Sequence, residues 1–205
     1  MSQELKSPDV LSLSVREFVA ETAARKPAPG GGSVAGAVGC LSAALAEMAL
    51  NYTKGKEAFR QHEQFYGALG KRLRRAGQMF EQLVDDDIQA YTLYVEARKM
   101  PPGKDKDQSV QLALAASIDV PRELAKVALA ALQDMSEFAE KCNPHLLCDL
   151  KAGATLAFAA VRLSHYNVQA NAGQLDNQQT ASELVSGSKA DLSKASEILE
   201  RIVNG

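Results

Sequence analysis

The 205-residue chain is 46% hydrophobic and 23% charged, with a formal net charge of -2; this fits one globular unit over residues 1–205, large enough for a substantial core. With no basic block and no positive balance, there is no electrostatic footprint for nucleic acid. The N-terminus MSQELKSPDV lacks the basic-then-apolar pattern of a secretory signal, so the expected compartment is the cytosol, where Cys40, Cys142 and Cys148 would be reduced thiols.

Apolar residues recur at three- and four-residue spacing almost throughout and nowhere alternate as in a strand, so the expected fold class is all-α. Ser14 and Glu17 form a capping-box pattern at the head of a first helix, with Val15, Phe18, Val19 and Ala23 as its apolar face. Pro27 and Pro29 end it. A second helix is expected from Ser33, read as its N-cap, to about Tyr52. Val34, Val38, Leu41, Leu45 and Met48 share one face of it, and its other faces carry small residues that would let neighbours approach closely. Val34 to Leu50 is also the most apolar run, at the lower limit for a membrane span; it contains Glu47, and a buried helix is the expectation.

No helix breaker occurs between Glu57 and Lys99, where Tyr66, Leu69, Leu73, Ala76, Phe80, Leu83, Asp87, Ala90, Tyr94 and Ala97 alternate steps of three and four. That is the seam of a long packed helix. Pro101-Pro102-Gly103 stops it, and the KDKD that follows reads as an exposed loop. A short helix is expected over Gln108 to Ser117, and Asp119 with Pro121 marks another start running through Phe138. Pro144 opens the next, apolar on several faces from Leu147 to Asn171, and an amphipathic helix from about Thr180 closes the chain. The sum is a helical bundle of about six or seven helices with long central members.

Three features could carry chemistry. Gly30-Gly31-Gly32-Ser33 opens a helix, so its backbone N–H groups either face a bound anion or carbonyl or simply form a turn before a serine cap. A dinucleotide fingerprint fails there because a helix, not a strand, precedes it. Asp87 is the one acid of Asp85-Asp86-Asp87 on the apolar seam. A carboxylate so placed is either desolvated and raised in pKa, as a general acid or base requires, or held in a helix–helix ion pair. Asp149 falls in the first turn of the Leu147 helix, Asn143 is its expected N-cap, and Asn167 and Asn171 share one face near its far end, where they pin a ligand or bond a neighbouring helix. Cys142, His145 and Cys148 are three apart but lack a fourth ligand, so no metal site is expected.

Three blocks stand out together: PAPGGGSVAGAVGCLSAALAEMALNYTKGK, LVDDDIQAYTLYVEARKMP and CNPHLLCDLKAGATLAFAAVRLSHYNVQAN. In this order and spacing, from about Val15 to Asn171, the chain resembles the cyclodeaminase/cyclohydrolase family of folate one-carbon enzymes. The resemblance implies an all-helical homodimer with a tetrahydrofolate site near the subunit interface. It aligns the family's catalytic carboxylate with Asp87, its glycine loop with Gly30, Gly31, Gly32 and Ser33, its basic position with Lys56, and its later asparagine and aspartate with Asn143 and Asp149; Asn167 joins these as a substrate-binding candidate. Cys142, Cys148 and Glu57 depart from the family pattern. The implied activity is formiminotetrahydrofolate cyclodeaminase, with methenyltetrahydrofolate cyclohydrolase as the alternative and a non-catalytic folate- or protein-binding helical dimer as a third reading. The folate would be substrate, no prosthetic group would be needed because the bridging carbon is already electrophilic, and the resemblance implies a separate formiminotransferase as partner.

Overall fold

The computed structural model describes residues 9–205. Among these there are six α-helices and no strand: α1 (Val15–Ala23), α2 (Gly31–Asn51), α3 (Glu63–Lys99), α4 (Lys104–Ala139), α5 (Leu147–Ala172) and α6 (Gln178–Asn204). Short 3-10 turns at Val10–Ser12, Glu57–His62 and Pro144–Leu146 precede α1, α3 and α5. Helices α2, α3, α4 and α5 form a ring in which each packs on two neighbours, and α6 lies across α4 and α5. Ser33 reaches Asp87 near one end of the α2–α3 pair and Leu50 approaches Gly70 near the other, so the two run antiparallel. Helix α5 is antiparallel to α2 as well, since Asn167 lies beside Gly31 while Asn143 bonds to Thr53.

Small residues set the spacing around α2. A Cβ at Gly39 would lie 2.5 Å from a ring carbon of Phe80, a core residue of α3, and one at Gly36 would lie 2.4 Å from Val84. Across the opposite side Ser42 donates to the Gly153 carbonyl of α5 at 2.8 Å. The small faces of α2 therefore point inward, and its large residues other than Leu50 turn outward. Leu41 is 59% exposed, and Val34, Val38, Leu45 and Met48 are only partly covered. By length and composition α2 is apolar enough to cross a membrane, and half of that stretch is buried against its neighbours.

Several elements differ from the sequence expectation for identifiable reasons. Ser33 is not the N-cap: the helix begins earlier, with Gly30 as an extended cap residue, which frees the Ser33 hydroxyl for a tertiary contact. The KDKD segment is the first turn of α4 rather than a loop, with Asp105 and Asp107 at its dipole's positive end. The expected break at Pro121 does not occur, and α4 is continuous from Lys104 to Ala139. Proline at 121 removes the N–H that would bond the Ser117 carbonyl, and Asn171 Nδ2 of α5 donates to that carbonyl at 2.7 Å instead. A tertiary bond thus replaces the missing helical one. Residues 57–62 form a 3-10 turn ahead of α3. The capping box of α1 is present, but only Phe18 of its apolar face packs inward, while Val15 and Val19 stay 83% and 62% exposed.

Candidate active site

Asp87 occupies the seam of α3 two turns beyond Phe80, where the α2 N-terminus crosses it. Its Oδ2 accepts from Ser33 Oγ at 3.0 Å. Burial is the largest influence on its pKa and pushes it above the usual carboxylate range, with the Ser33 hydroxyl and amide offsetting part of that rise. The glycines acquire a specific reason here. A Cβ at Gly32 would stand 2.0 Å from Asp87 Oδ1, so only glycine lets the carboxylate sit against the first turn of α2. The anion that faces this helix N-terminus is the protein's own side chain.

Around Asp87 lies a cleft of about 300 Å³, bounded by four helices. Helix α2 and its lead-in supply Pro27, Ala28 and Gly30 to Gly32; α3 supplies Asp87, Ile88, Ala90, Tyr91 and Tyr94; α4 supplies Leu114 and Ser117; α5 and the residues after it supply Asn167, Asn171 and Gln174. Asp87 is the one charged side chain among these lining residues. Its polar neighbours are the carboxamides of Asn167, Asn171 and Gln174, the Ser117 hydroxyl and two tyrosines, and the remaining lining is glycine or apolar, which suits a flat, hydrogen-bonding ligand with a cationic centre. A second hollow, about 370 Å³, adjoins the cleft through Pro27, Ala28, Ile88 and Tyr91.

The candidates from the sequence divide into two groups. Gly30, Gly31, Gly32, Ser33, Asp87 and Asn167 come together: a Cβ on Gly31 would be 3.6 Å from Asn167 Oδ1. Lys56, Asn143 and Asp149 lie at the other end of α2, about 30 Å away at 1.5 Å per helical residue. Asn143 is buried and caps the turn before α5, accepting from the His145 amide, while its own amide bonds Thr53 Oγ1 at 3.1 Å. Lys56 is exposed and Asp149 half-buried. Tyr91, Tyr94, Ser117 and Gln174 were not singled out by the sequence. The signal for the tyrosines was available, since they lie four and seven residues after Asp87 and hence on its face; Tyr94 donates to Gln174 Oε1 at 2.8 Å. Cys142 turns its thiol inward toward Thr53 and Asn143, whereas His145 and Cys148 are exposed. No group of three potential ligands positioned for a metal occurs among the described residues.

The chain is similar in sequence and fold to known proteins. The formiminotransferase-cyclodeaminase family model matches residues 14–190. The formimidoyltransferase-cyclodeaminase of Mus musculus is 33% identical over 167 residues, which is 79% of this chain and 31% of that protein. This chain therefore spans about a third of such relatives. The methenyltetrahydrofolate cyclohydrolase of Methylorubrum extorquens is 27% identical over 92% of this chain and 93% of its own length. The crystal structure of formiminotetrahydrofolate cyclodeaminase from Thermotoga maritima superposes with a TM-score of 0.85 at 26% identity, covering 96% of this chain and 98% of that one.

Proposed function

Because the chain belongs to the formiminotransferase-cyclodeaminase family of folate one-carbon enzymes, we propose that it is a formiminotetrahydrofolate cyclodeaminase with Asp87 as general acid/base. The observation that carries this reading is a desolvated carboxylate, alone in charge within a cleft of carboxamides and tyrosines, in a fold matching a cyclodeaminase over nearly its full length.

The reaction closes a five-membered ring. N10 of the folate attacks the formimino carbon on N5, one N–C bond forms, and the C–N bond to the amino group breaks to release ammonia. Asp87 takes the proton from N10 as that bond forms and returns it to the departing amine. A raised pKa shortens the gap between base and acid roles near neutral pH, and the anionic form stabilises the amidinium and methenyl cations on either side of the step. Ser33 orients the carboxylate. Asn167, Asn171 and Gln174 offer donors and acceptors to the pterin edge, and Tyr91 and Tyr94 offer faces for the pterin or benzoyl ring. Such positioning converts the ring closure into a near-attack geometry.

A second reading is favoured by one observation: the chain covers 93% of a methenyltetrahydrofolate cyclohydrolase. There water attacks the methenyl carbon, Asp87 removes the water proton, and N5 leaves protonated to give 10-formyltetrahydrofolate. An absorbance assay separates the two. Appearance of the methenyl chromophore from 5-formiminotetrahydrofolate, with ammonia, identifies the cyclodeaminase; accelerated loss of the chromophore from 5,10-methenyltetrahydrofolate identifies the cyclohydrolase. Neither change, with folded protein, returns the chain to a binding role.

The functional unit in this reading is a two-fold dimer joined along the outward face of α2. Val34, Val38, Leu41, Leu45 and Met48 supply its apolar strip. A two-fold axis across the middle of α2 sets the two copies of that helix antiparallel, so the N-terminal end of one meets the C-terminal end of the other. The partner subunit's Lys56 and the partner subunit's Asp149 would then stand beside the Asp87 cleft. This unites the two groups of candidate residues that one chain holds apart, and it supplies a cation for the substrate's carboxylates.

A further inference from the structure

Next to the cleft, on the adjoining face of α5, an open-sided hollow of about 540 Å³ lies between α4, α5 and α6. Its floor is the α5 face of Ser164 and His165, both buried. Ser164 is 0% exposed, and its Oγ is a buried side-chain atom with no hydrogen-bond partner. A serine hydroxyl left without a partner costs free energy unless something else bonds it. His165 Nδ1 lies 2.8 Å from Ser188 Oγ, and Ser188 Oγ donates to the Val185 carbonyl at 3.0 Å. With the serine proton committed to Val185, its oxygen accepts from Nδ1–H. The other ring nitrogen, Nε2, is left as an acceptor with no partner among the described residues. Burial, and then the charge of Lys189, push the imidazole below its ordinary pKa and keep it neutral.

The walls carry opposite charge. Helix α4 contributes Arg122 and Lys126, one turn apart on one face, and α6 contributes Glu183 and Asp191. They do not neutralise each other: among the described residues no ion pair crosses from α4 to α6. Arg122 bonds back to Asp119 of its own helix and Glu183 accepts from Gln179 of its own, while Lys126 and Asp191 have no ion pair among the described residues. A nearly buried acceptor, His165 Nε2, between a cationic wall and an anionic wall matches a small molecule bearing both charges.

We propose that this hollow is a second binding site, for a free α-amino acid, with its carboxylate toward Arg122 and Lys126, its ammonium toward Glu183 and Asp191, and a polar side-chain N–H or O–H on His165 Nε2. The site is independent of the folate cleft, so its test needs no turnover. Thermal melts of the whole chain with each of the common L-amino acids at about 10 mM are expected to raise the midpoint for at least one with a polar side chain, by roughly 3–5 °C for a millimolar Kd. The N-acetylated and amidated forms of that amino acid, each lacking one charge, should give no such rise. Lys126→Gln and Asp191→Asn, both on walls of the hollow outside the core, should each weaken binding about tenfold or more by calorimetry while leaving the ligand-free melt unchanged. Ser164→Ala should raise the ligand-free midpoint, because it removes an unpartnered hydroxyl sealed from the hollow, and leave the affinity for that amino acid within a few-fold. The proposal is overturned if no amino acid shifts the melt, if the single-charge forms shift it equally, or if binding survives the Lys126 and Asp191 changes.

Discussion

Asp87 is held by a balance that single substitutions can tip. Its carboxylate is desolvated by α2 and partly compensated by Ser33. Ser33→Ala removes the hydroxyl that favours the anion, so the pKa rises further and the acidic limb of kcat/KM moves to higher pH; a pH–rate profile reads the shift directly. Gly32→Ala acts sterically. A methyl 2.0 Å from Oδ1 must displace the carboxylate, and a misplacement of about 1 Å costs on the order of 100-fold in rate, to be measured with far-UV circular dichroism confirming an intact fold. The same carboxylate bears on stability. Its folded pKa lies above its unfolded one, so its proton-linked contribution is present below the unfolded pKa and lost as pH rises through the folded value. At neutral pH the ionised group therefore opposes folding.

At the scale of elements, α2 and α4 show what sequence patterns carry and what they miss. The capping box of α1, the long seam of α3 and the span of α5 were legible because periodicity and caps are local signals. So was Asp87, because a lone acid on an apolar seam conflicts with its surroundings. The close approach along the small faces of α2 was legible, but the outward turn of its large residues was not. Its large residues form the better apolar face by pattern, yet the small face packs inward because Phe80 and Val84 need the space that Gly39 and Gly36 leave. Nor was the continuity of α4, since the bond that repairs the gap at Pro121 comes from Asn171, 50 residues on. That contact yields a prediction. Asn171→Ala should leave the Ser117 carbonyl without a partner and cost about 1–3 kcal/mol in urea unfolding. Pro121→Ala, which restores the helical N–H, should recover much of that loss in the double variant.

At the scale of the molecule, the separation of Lys56, Asn143 and Asp149 from Asp87 is the fact that sequence alignment to a family could not reveal. Linear order gives no distance, and α2 holds the two groups at its two ends. Asn143 caps the turn before α5 there and is tied to Thr53. For Lys56, a shared site makes a sharp prediction. Asp87→Asn and Lys56→Ala chains, each inactive alone, should regain about a quarter of wild-type activity when unfolded together and refolded as an equal mixture, because half the dimers are mixed and each mixed dimer holds one intact site. Sites confined within one chain would regain none.

The central claim is that Asp87 performs the proton transfers, and turnover by Asp87→Asn tests it most directly. The asparagine keeps the shape and can still accept from Ser33. The account predicts a fall in kcat of about 100-fold or more, tetrahydrofolate affinity within a few-fold of wild type, and a raised melting midpoint at pH 7 as the buried charge is removed. Near-wild-type turnover in that variant would contradict the mechanism.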